Sequence, residues 1–393
     1  MKYFFILGNN PTLSIAEIFS IVSEIEDYNF LNSDCLVIES KKEINIPKLI
    51  QRLGGTIKIG EIRDEASSAN YNKIQCVLNN IVQEGKSKFF FGFSYYGKHK
   101  FNVKRFAMET KKYLKELNIS CRWVISREKT LSSVVVETNK LLTEKGAEIV
   151  LIQKGSKILI GKTGAVQDFK ALSFRDYDRP ARDSKSGMLP PKLAQILINL
   201  SGGETEDVIL DPFCGSGTVV MEAALIGYKN ILGSDISEKA VSDTRENIEW
   251  IKEKFSIKDV KLNIKNISAT GLSRKIKVNS VGAIATEPYL GPQRGKIEIE
   301  KVAKELNELY TASITEFYKI LKKGGRVAMI WPVFKTGRQD KQLSPQSKGF
   351  KTVNMIPEKL KNYQGIKLTD RNTIIYGRDN QRVWREIVVL EKL

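Results

Sequence analysis

A glycine-containing segment, Asp211–Thr218, has the residue types and spacing of a ligand-binding turn. It follows a short apolar run, Val208–Leu210, and precedes a stretch with helical spacing, so we predict that it joins a strand to a helix. Glycines at such a turn let the backbone approach a ligand closely, and the helix N-terminus offers unpaired N–H groups to a carboxylate. A dinucleotide-binding loop would have a third glycine where this chain has Val220, which argues against a pyrophosphate ligand.

Two carboxylates accompany this turn at the ends of predicted strands. Asp211, which ends the first strand, can pair with an ammonium group such as that of a methionine moiety. Asp235 follows Gly215 by twenty residues and ends the next strand, where a carboxylate can accept hydrogen bonds from both hydroxyls of a ribose. The turn and the second acid favour an S-adenosylmethionine site over a purely structural glycine turn. The candidate cofactor-binding residues are Asp211, Phe213, Gly215, Gly217, Asp235, Ile236 and Ser268.

A third predicted strand ends at Asn266-Ile267-Ser268, where an adenine contact is expected. Either Asn266 or Ser268 could hydrogen-bond the adenine amine, and ordinary capping of the loop is the alternative. Cys214, inside the glycine turn, is interpreted as a small packing residue and not as a nucleophile.

The fourth predicted strand, Val281–Ala285, leads into a segment that could hold an exocyclic amine. Ligands bind at the carboxyl edge of open α/β sheets. A carboxylate and a proline carbonyl there can accept hydrogen bonds from an –NH₂ group, and a neighbouring tyrosine can stack on a flat base. Glu287, Pro288 and Tyr289 are therefore the candidate catalytic residues, with a structural proline loop as the alternative. No cysteine is close to them in sequence, which disfavours covalent pyrimidine C5 methylation because that chemistry needs a thiolate.

Strands and helices alternate around these segments from Asp207 onward, with long helices predicted over Glu238–Lys254 and Glu298–Leu321. Alternating units of this length predict a parallel, doubly wound sheet. The end of the chain, with Thr373–Tyr376 and Val383–Leu390 flanking a polar turn, predicts a β-hairpin.

The first 165 residues have a mixed α+β pattern instead. A helix is predicted over Leu13–Glu24, with Ser14 as its N-cap and Glu17 completing a capping box. Further along, a basic helix at Val103–Leu117 belongs to a second mixed module that could hold RNA, with a dimerisation or scaffold role as the alternative. Residues 166–188 carry many charged residues with weak apolar periodicity, which predicts an ordered linker.

The chain is strongly basic, with a formal net charge of +18. Residues 51–200 contain 27 Lys and Arg against 14 Asp and Glu, an excess of 13 positive charges, so the charge is concentrated in the middle of the chain. A field of this sign attracts polyanions, of which nucleic acid is the commonest large one. A lysine-rich, solvated surface is the alternative.

Cysteine and histidine content excludes several kinds of site. Four widely separated cysteines and a single histidine, His99, favour neither a disulfide framework nor a His/Cys metal centre. The sequence has no run of about 18 apolar residues, so we expect no membrane span and a cytoplasmic location.

These features together resemble the THUMP-domain tRNA guanine-N2 methyltransferases, the group that acts on G10 of tRNA. Met1–Gly8, Leu131–Glu137, Gly187–Ala194 and Asp211–Thr218 carry the resemblance, which extends over nearly the whole chain. It implies an N-terminal ferredoxin-like domain at residues 1–65, a THUMP RNA-binding domain at 66–165, a linker at 166–188 and a Rossmann-like class I methyltransferase domain at 189–393.

The resemblance is imperfect at the amine-binding motif. The family has Asp-Pro-Pro-Tyr, whereas this chain has Glu287-Pro288-Tyr289-Leu290. Aligned on Thr286 and Gly291, Glu287 takes the acidic position and Leu290 the aromatic one, and a one-residue shift makes Tyr289 the aromatic residue.

The resemblance implies methyl transfer from S-adenosylmethionine to the N2 amine of a guanine in tRNA, with G10 as the expected position. It implies tRNA as the partner and neither a membrane nor a metal. It does not decide whether a small activator subunit is needed. Two alternatives stay open. An N6-adenine or N4-cytosine DNA methyltransferase would use a similar motif, and a catalytically silent RNA-binding protein would keep only the basic module.

Overall fold

The computed structural model of the protein describes residues 1–67, 71–81, 88–182, 188–292, 298–336, 340–379 and 381–393. They form two compact units. The first comprises Met1–Pro11, Val22–Phe169 and Tyr363–Gly365, and the second comprises Thr12–Ile21, Lys170–Asn362 and Ile366–Leu393. Every predicted site residue therefore belongs to the second unit, while the finer boundaries at residues 65, 165 and 188 remain predictions.

The first unit is built on one eight-stranded sheet with the order β2-β3-β1-β4-β8-β7-β5-β6. Its strands are β1 (Lys2–Leu7), β2 (Ile25–Leu31), β3 (Cys35–Ser40), β4 (Thr56–Ser67), β5 (Phe89–Tyr96), β6 (Cys121–Trp123), β7 (Gly146–Lys154) and β8 (Lys157–Val166). The helices introduced along this part of the chain are α1 (Pro11–Ile21), α2 (Ile46–Arg52), α3 (Tyr71–Asn79), α4 (Val103–Glu116) and α5 (Ser133–Thr138). The long antiparallel pairing of β4 with β8 joins the two predicted modules in a single sheet.

Helix α1 differs from its prediction at its N-terminus. It begins at Pro11, and proline suits the first turn of a helix because that turn needs no N–H donor. Ser14 consequently lies inside the helix, so the predicted capping box is wrong. Glu17 is fully buried, and its Oε1 accepts a hydrogen bond from Asn199 Nδ2 at 2.7 Å. This bond connects α1 with Asn199 within the second unit.

The second unit contains the predicted α/β sheet, with the strand order β11-β10-β9-β12-β13-β17-β15 and with β14 and β16 paired to β13 and β17. Its strands are β9 (Val208–Asp211), β10 (Asn230–Asp235), β11 (Lys261–Asn266), β12 (Val281–Thr286), β13 (Leu321–Phe334), β14 (Lys341–Gln342), β15 (Phe350–Thr352), β16 (Ile374–Tyr376) and β17 (Val383–Lys392). Its helices are α6 (Phe169–Tyr177), α7 (Pro191–Leu200), α8 (Thr218–Ile226), α9 (Glu238–Phe255) and α10 (Ile299–Ile320), with short 3₁₀ helices at Ala269–Arg274 and Glu358–Leu360.

Five of these strands, β9 to β13, run parallel, which confirms the predicted fold class. Their register brings the predicted site residues to one edge, since Asp211 lies opposite Gly233 and Asp235 lies opposite Asn266. The predicted C-terminal hairpin is also confirmed, with Ile374 of β16 opposite Ile387 of β17. None of the described helices is long and apolar enough to cross a membrane.

The segment predicted to be a linker contains helix α6 and two buried arginines. Arg175 donates to both oxygens of Glu222 on α8, at 2.6 and 3.1 Å, and both side chains are almost fully buried. Arg179 Nη1 donates to Thr218 Oγ1, at the start of α8, at 2.7 Å. These bonds attach the segment to the helix that follows the glycine turn, while residues 183–187 of the predicted linker lie outside the described residues.

Candidate active site

Gly215 and Gly217 suit their positions in the turn for different structural reasons. Gly217 is the N-cap of α8 with a φ of 87°, and a Cβ there would lie 2.9 Å from Thr244 Cγ2 on α9. Gly215 also has a positive φ, 52°, but a Cβ there would meet no atom within 4 Å. The backbone at Gly217 therefore packs too closely against Thr244 to leave room for a side chain, whereas the backbone at Gly215 is accessible to a ligand.

This difference predicts unequal losses of stability. We expect Gly217→Ala to lower the free energy of unfolding by about 2–4 kcal/mol, because left-handed backbone strain adds to the clash with Thr244. Gly215→Ala has only the strain and should cost about 1 kcal/mol. Urea denaturation of both variants beside the wild type measures the two values. Equal losses would mean that Thr244 moves aside without cost.

Asp211 is a buried acid whose pKa lies well above its ordinary value. Its Oδ1 accepts hydrogen bonds from the backbone N of Phe213 at 3.1 Å and from Thr286 Oγ1 at 2.7 Å. The pKa of Asp211 is raised to about 7, chiefly by burial and to a smaller extent by the charges of Asp235 and Glu287, while the two hydrogen bonds oppose the rise. A cation bound beside Asp211 would favour its ionised form, so this position suits an ammonium group.

Asp235 lies at the end of β10 and shapes the glycine turn. Its Oδ2 accepts from the backbone N of Gly215 at 3.0 Å, and its Oδ1 accepts from the backbone N of Ser237 at 2.9 Å. The next residue, Ile236, is 77% exposed and offers an apolar surface beside the acid. An acid held by two backbone donors next to an exposed apolar side chain suits the ribose and the base of a nucleoside.

The predicted adenine contacts have local partners. Asn266 Nδ2 donates to the backbone oxygens of Asp235 and Ile236 at 3.0 and 2.9 Å, so it fixes the loop that carries the ribose acid. Ser268 is the N-cap of the 3₁₀ helix and its Oγ accepts from the backbone N of Thr270 at 3.3 Å. These bonds correspond to the loop-capping alternative, and a contact of Ser268 with adenine remains a prediction.

The segment after β12 presents an acid and an aromatic ring. Glu287 Oε1 accepts a hydrogen bond from Arg385 Nε at 2.5 Å. Pro288 is buried, and the backbone oxygen of Tyr289 accepts from the hydroxyl of Tyr310 at 2.7 Å. The Tyr289 side chain is 57% exposed, whereas Leu290 is 8% exposed. Tyr289 is consequently the aromatic residue available to a flat ligand.

Three carboxylates thus meet at one edge of the sheet. Asp235 and Glu287 are both close enough to raise the pKa of Asp211 by their charge. A site with this electrostatic field attracts a cationic ligand. Within the described ranges, no group of three or more His, Cys, Asp or Glu side chains is arranged to hold a metal ion.

Three contacts at this edge were not predicted from the sequence. Thr244 donates to the backbone oxygen of Gly215 at 2.7 Å, Thr286 bonds Asp211, and Arg385 bonds Glu287. The first two are ordinary threonines in regular elements and give no sequence signal. The contact of Arg385 with Glu287 can be inferred only when the pairing of β17 with β13 is known.

Comparisons with known proteins cover the part of the chain that contains this site. A family model described as "RMKL-like, methyltransferase domain" matches residues 179–355, which include all the predicted site residues. A second model, described as a DNA methylase, matches residues 77–246 and ends before Glu287. Among solved structures, TrmN from Thermus thermophilus is 16% identical with a TM-score of 0.53, covers both chains completely and shares the fold.

Several curated relatives carry the name tRNA (guanine(10)-N2)-dimethyltransferase. That of Methanothermobacter thermautotrophicus is 29% identical over 52% of this chain and 57% of its own length, and that of Pyrococcus abyssi is 27% identical over 56% and 61%. The chain therefore matches less than two thirds of these two relatives. The protein of Methanothermococcus thermolithotrophicus, named as a probable member, is 32% identical over 30% of this chain and 72% of its own length. On these matches, together with the fold and the arrangement of its acidic edge, the chain belongs to the tRNA (guanine(10)-N2)-dimethyltransferase family.

Proposed function

We propose that this chain transfers the methyl group of S-adenosylmethionine to the exocyclic N2 amine of a guanine in tRNA. The observation that carries the proposal is the meeting, at one edge of the sheet, of an open glycine turn, two strand-end acids and a loop with Glu287 and the exposed Tyr289. The names of its relatives support guanine 10 as the position and two methyl groups as the product to look for.

The described residues fit S-adenosylmethionine. The open space above Gly215 accommodates a ligand, and the N-terminus of α8 can bind its carboxylate. Asp211 would hold the ammonium group, Asp235 the ribose hydroxyls, and Ile236 would contact the adenine. When bound, this cofactor supplies an electrophilic methyl group on a sulfonium centre.

The residues of the loop would align the substrate. Guanine N2 is delocalised into the ring and is a weak nucleophile, so orientation and hydrogen bonding must supply the catalysis. Glu287 would accept a hydrogen bond from the amine and take the proton that the nitrogen loses as it gains the methyl group. The backbone oxygen of Pro288 would accept a second hydrogen bond, and Tyr289 would stack on the base.

The basic first unit would bind the tRNA. The positive excess of residues 51–200 includes the exposed face of helix α4, on which Lys104, Arg105, Lys111 and Lys112 are all exposed. Charge of this kind binds the phosphate backbone through counterion release. The proposal therefore gives residues 66–165 the role of a THUMP RNA-binding domain and the whole chain a cytoplasmic location.

Methyl transfer to two nucleic acids tests the function. We expect the chain to methylate unmodified tRNA, with N2-methylguanosine or N2,N2-dimethylguanosine as the product in mass spectrometry of the nucleosides. A tRNA with adenine at position 10 should accept no methyl group and serves as the matched control.

Other products would assign another function. N6-methyladenine or N4-methylcytosine in duplex DNA would favour the DNA methyltransferase, and no transfer to either nucleic acid would favour the silent RNA-binding protein. The DNA methylase match does not decide between them, because it ends before the loop that would meet the substrate.

A further inference from the structure

Arg385 is bonded to the proposed catalytic acid from a distant part of the chain. Its Nε lies 2.5 Å from Glu287 Oε1, and the two side chains are only 17% and 14% exposed. Strand β13 separates β17, which carries Arg385, from β12, which leads to Glu287. The arginine therefore reaches across one strand of the sheet to meet the acid.

The backbone of Arg385 is fixed on both sides. It lies opposite Pro332 in the antiparallel pairing of β17 with β13, and opposite Tyr376 in the pairing with β16. A residue held between two strands has little freedom to move along the sheet. The position of the Arg385 Cα is thus set by the sheet, independently of the loop that carries Glu287.

A glutamate side chain needs a restraint if its carboxylate is to meet the substrate at a defined position. It has three rotatable bonds, and ordering them costs conformational entropy each time that the carboxylate is used. A charge-assisted hydrogen bond from an arginine to one oxygen removes much of this freedom before the substrate arrives. The low exposure of both partners strengthens the bond because solvent screens it less.

We propose that Arg385 is a positioning residue that holds Glu287 by Oε1, so that Oε2 is the oxygen presented to the substrate amine. The inference rests on the proposed function. Arg385 does not touch the base, and it acts through the acid. Binding of an RNA phosphate is the other role open to an arginine near this edge, and the two roles make different kinetic predictions.

Kinetics of Arg385 variants test the proposal. We expect Arg385→Gln to lower the single-turnover rate of methyl transfer by about 10- to 100-fold, because one charge-assisted hydrogen bond is lost. The affinities for cofactor and tRNA should stay unchanged, and the midpoint of thermal unfolding should fall by only a few degrees, because Glu287 loses its charged partner. Arg385→Lys, which can still donate to Oε1, should recover part of the rate.

Arg378 offers a matched control, since it is an exposed arginine in the chain between β16 and β17. Its backbone oxygen accepts from Trp384 Nε1 at 2.9 Å, a bond that Arg378→Gln retains. This variant removes the same positive charge from the hairpin, and we expect it to keep the wild-type rate.

A double-mutant cycle with Glu287→Ala gives the deciding result, because alanine cannot accept the bond from Arg385. If Arg385 acts through Glu287, then Arg385→Gln should change the rate of the Glu287→Ala enzyme by less than about twofold. Effects that multiply, or a loss that appears in tRNA affinity and not in rate, would overturn the positioning role in favour of a phosphate contact.

The proposed function can fail separately from the inference about Arg385. A wild-type chain that methylates duplex DNA instead of tRNA overturns the function, and the same cycle on DNA then decides the role of Arg385. A wild type that methylates neither overturns both.

Discussion

Asp211→Asn should make the ligand-free protein more stable at pH 8 and at the same time remove most of its affinity for S-adenosylmethionine. Burial raises the pKa of Asp211 from an ordinary 3.8 to about 7. The folded protein therefore retains a proton that the unfolded chain releases, and stability falls as the pH rises from about 4 to about 7. Above pH 7 the buried charge costs about 4 kcal/mol, since each of about three pKa units is worth about 1.4 kcal/mol.

Asparagine removes this cost with little change in geometry. Both hydrogen bonds that the structure gives Asp211 end on Oδ1, and the amide oxygen of asparagine can accept both. The same change removes the charge that would pair with the ammonium group, so affinity should fall by about 100-fold. Thermal unfolding at pH 5 and pH 8, with calorimetry of cofactor binding, measures both effects.

The gain in stability should be present at pH 8 and nearly absent at pH 5. Asp243→Asn is a control, because this acid pairs with the exposed Lys239 on the surface of α9, and its loss should change stability by less than about 1 kcal/mol at either pH. An Asp211→Asn protein that is no more stable at pH 8 would show that the folded state holds the ionised acid without penalty.

Glu287→Gln should lower the rate of methyl transfer by about 10²–10³ while leaving the affinities for cofactor and tRNA nearly unchanged. The lost charge interacts with the amine most strongly as its own charge develops, so the effect belongs to the rate and not to binding. Glutamine is a better test than alanine, because its amide oxygen can still accept the bond from Arg385. Single-turnover kinetics with saturating cofactor and tRNA measure the rate directly.

Two neighbours of Glu287 serve as controls of this assignment. Tyr289→Ala should weaken tRNA binding by about 1–3 kcal/mol if its exposed ring stacks on the base. Leu290→Ala should instead lower stability by about 2–3 kcal/mol, because that side chain is buried. Wild-type turnover in Glu287→Gln would make the acid a structural loop residue, and the proposed mechanism would fail.

The sequence predicted those parts of the site that depend on local pattern. The turn at Asp211–Thr218, the acid at Asp235 and the loop at Glu287 each follow a short apolar strand, and parallel strands bring their carboxyl ends to one edge of a sheet. Strand ends and glycine turns are visible in a sequence because neighbouring residues determine them. Their meeting then follows from the fold class alone.

The parts that escaped prediction depend on pairing between distant residues. Arg385 meets Glu287 across an antiparallel strand whose register no local pattern reveals. Arg175 and Arg179 are buried by partners on α8, so a search for apolar periodicity passes over them. Glu17 was misread for the same reason, since its partner, Asn199, is far away in the chain.

The division of the chain has a consequence for its synthesis on the ribosome. Strand β4 leaves the ribosome about ninety residues before β8, its neighbour in the sheet, and its edge stays unpaired in the meantime. The first unit also includes Tyr363–Gly365, while the second includes Thr12–Ile21, so each contains a piece that is distant in sequence from the rest of the unit. The first unit can complete its native contacts only after residue 365 has been made, and until β8 follows β4 the unpaired strand edge favours association with other chains.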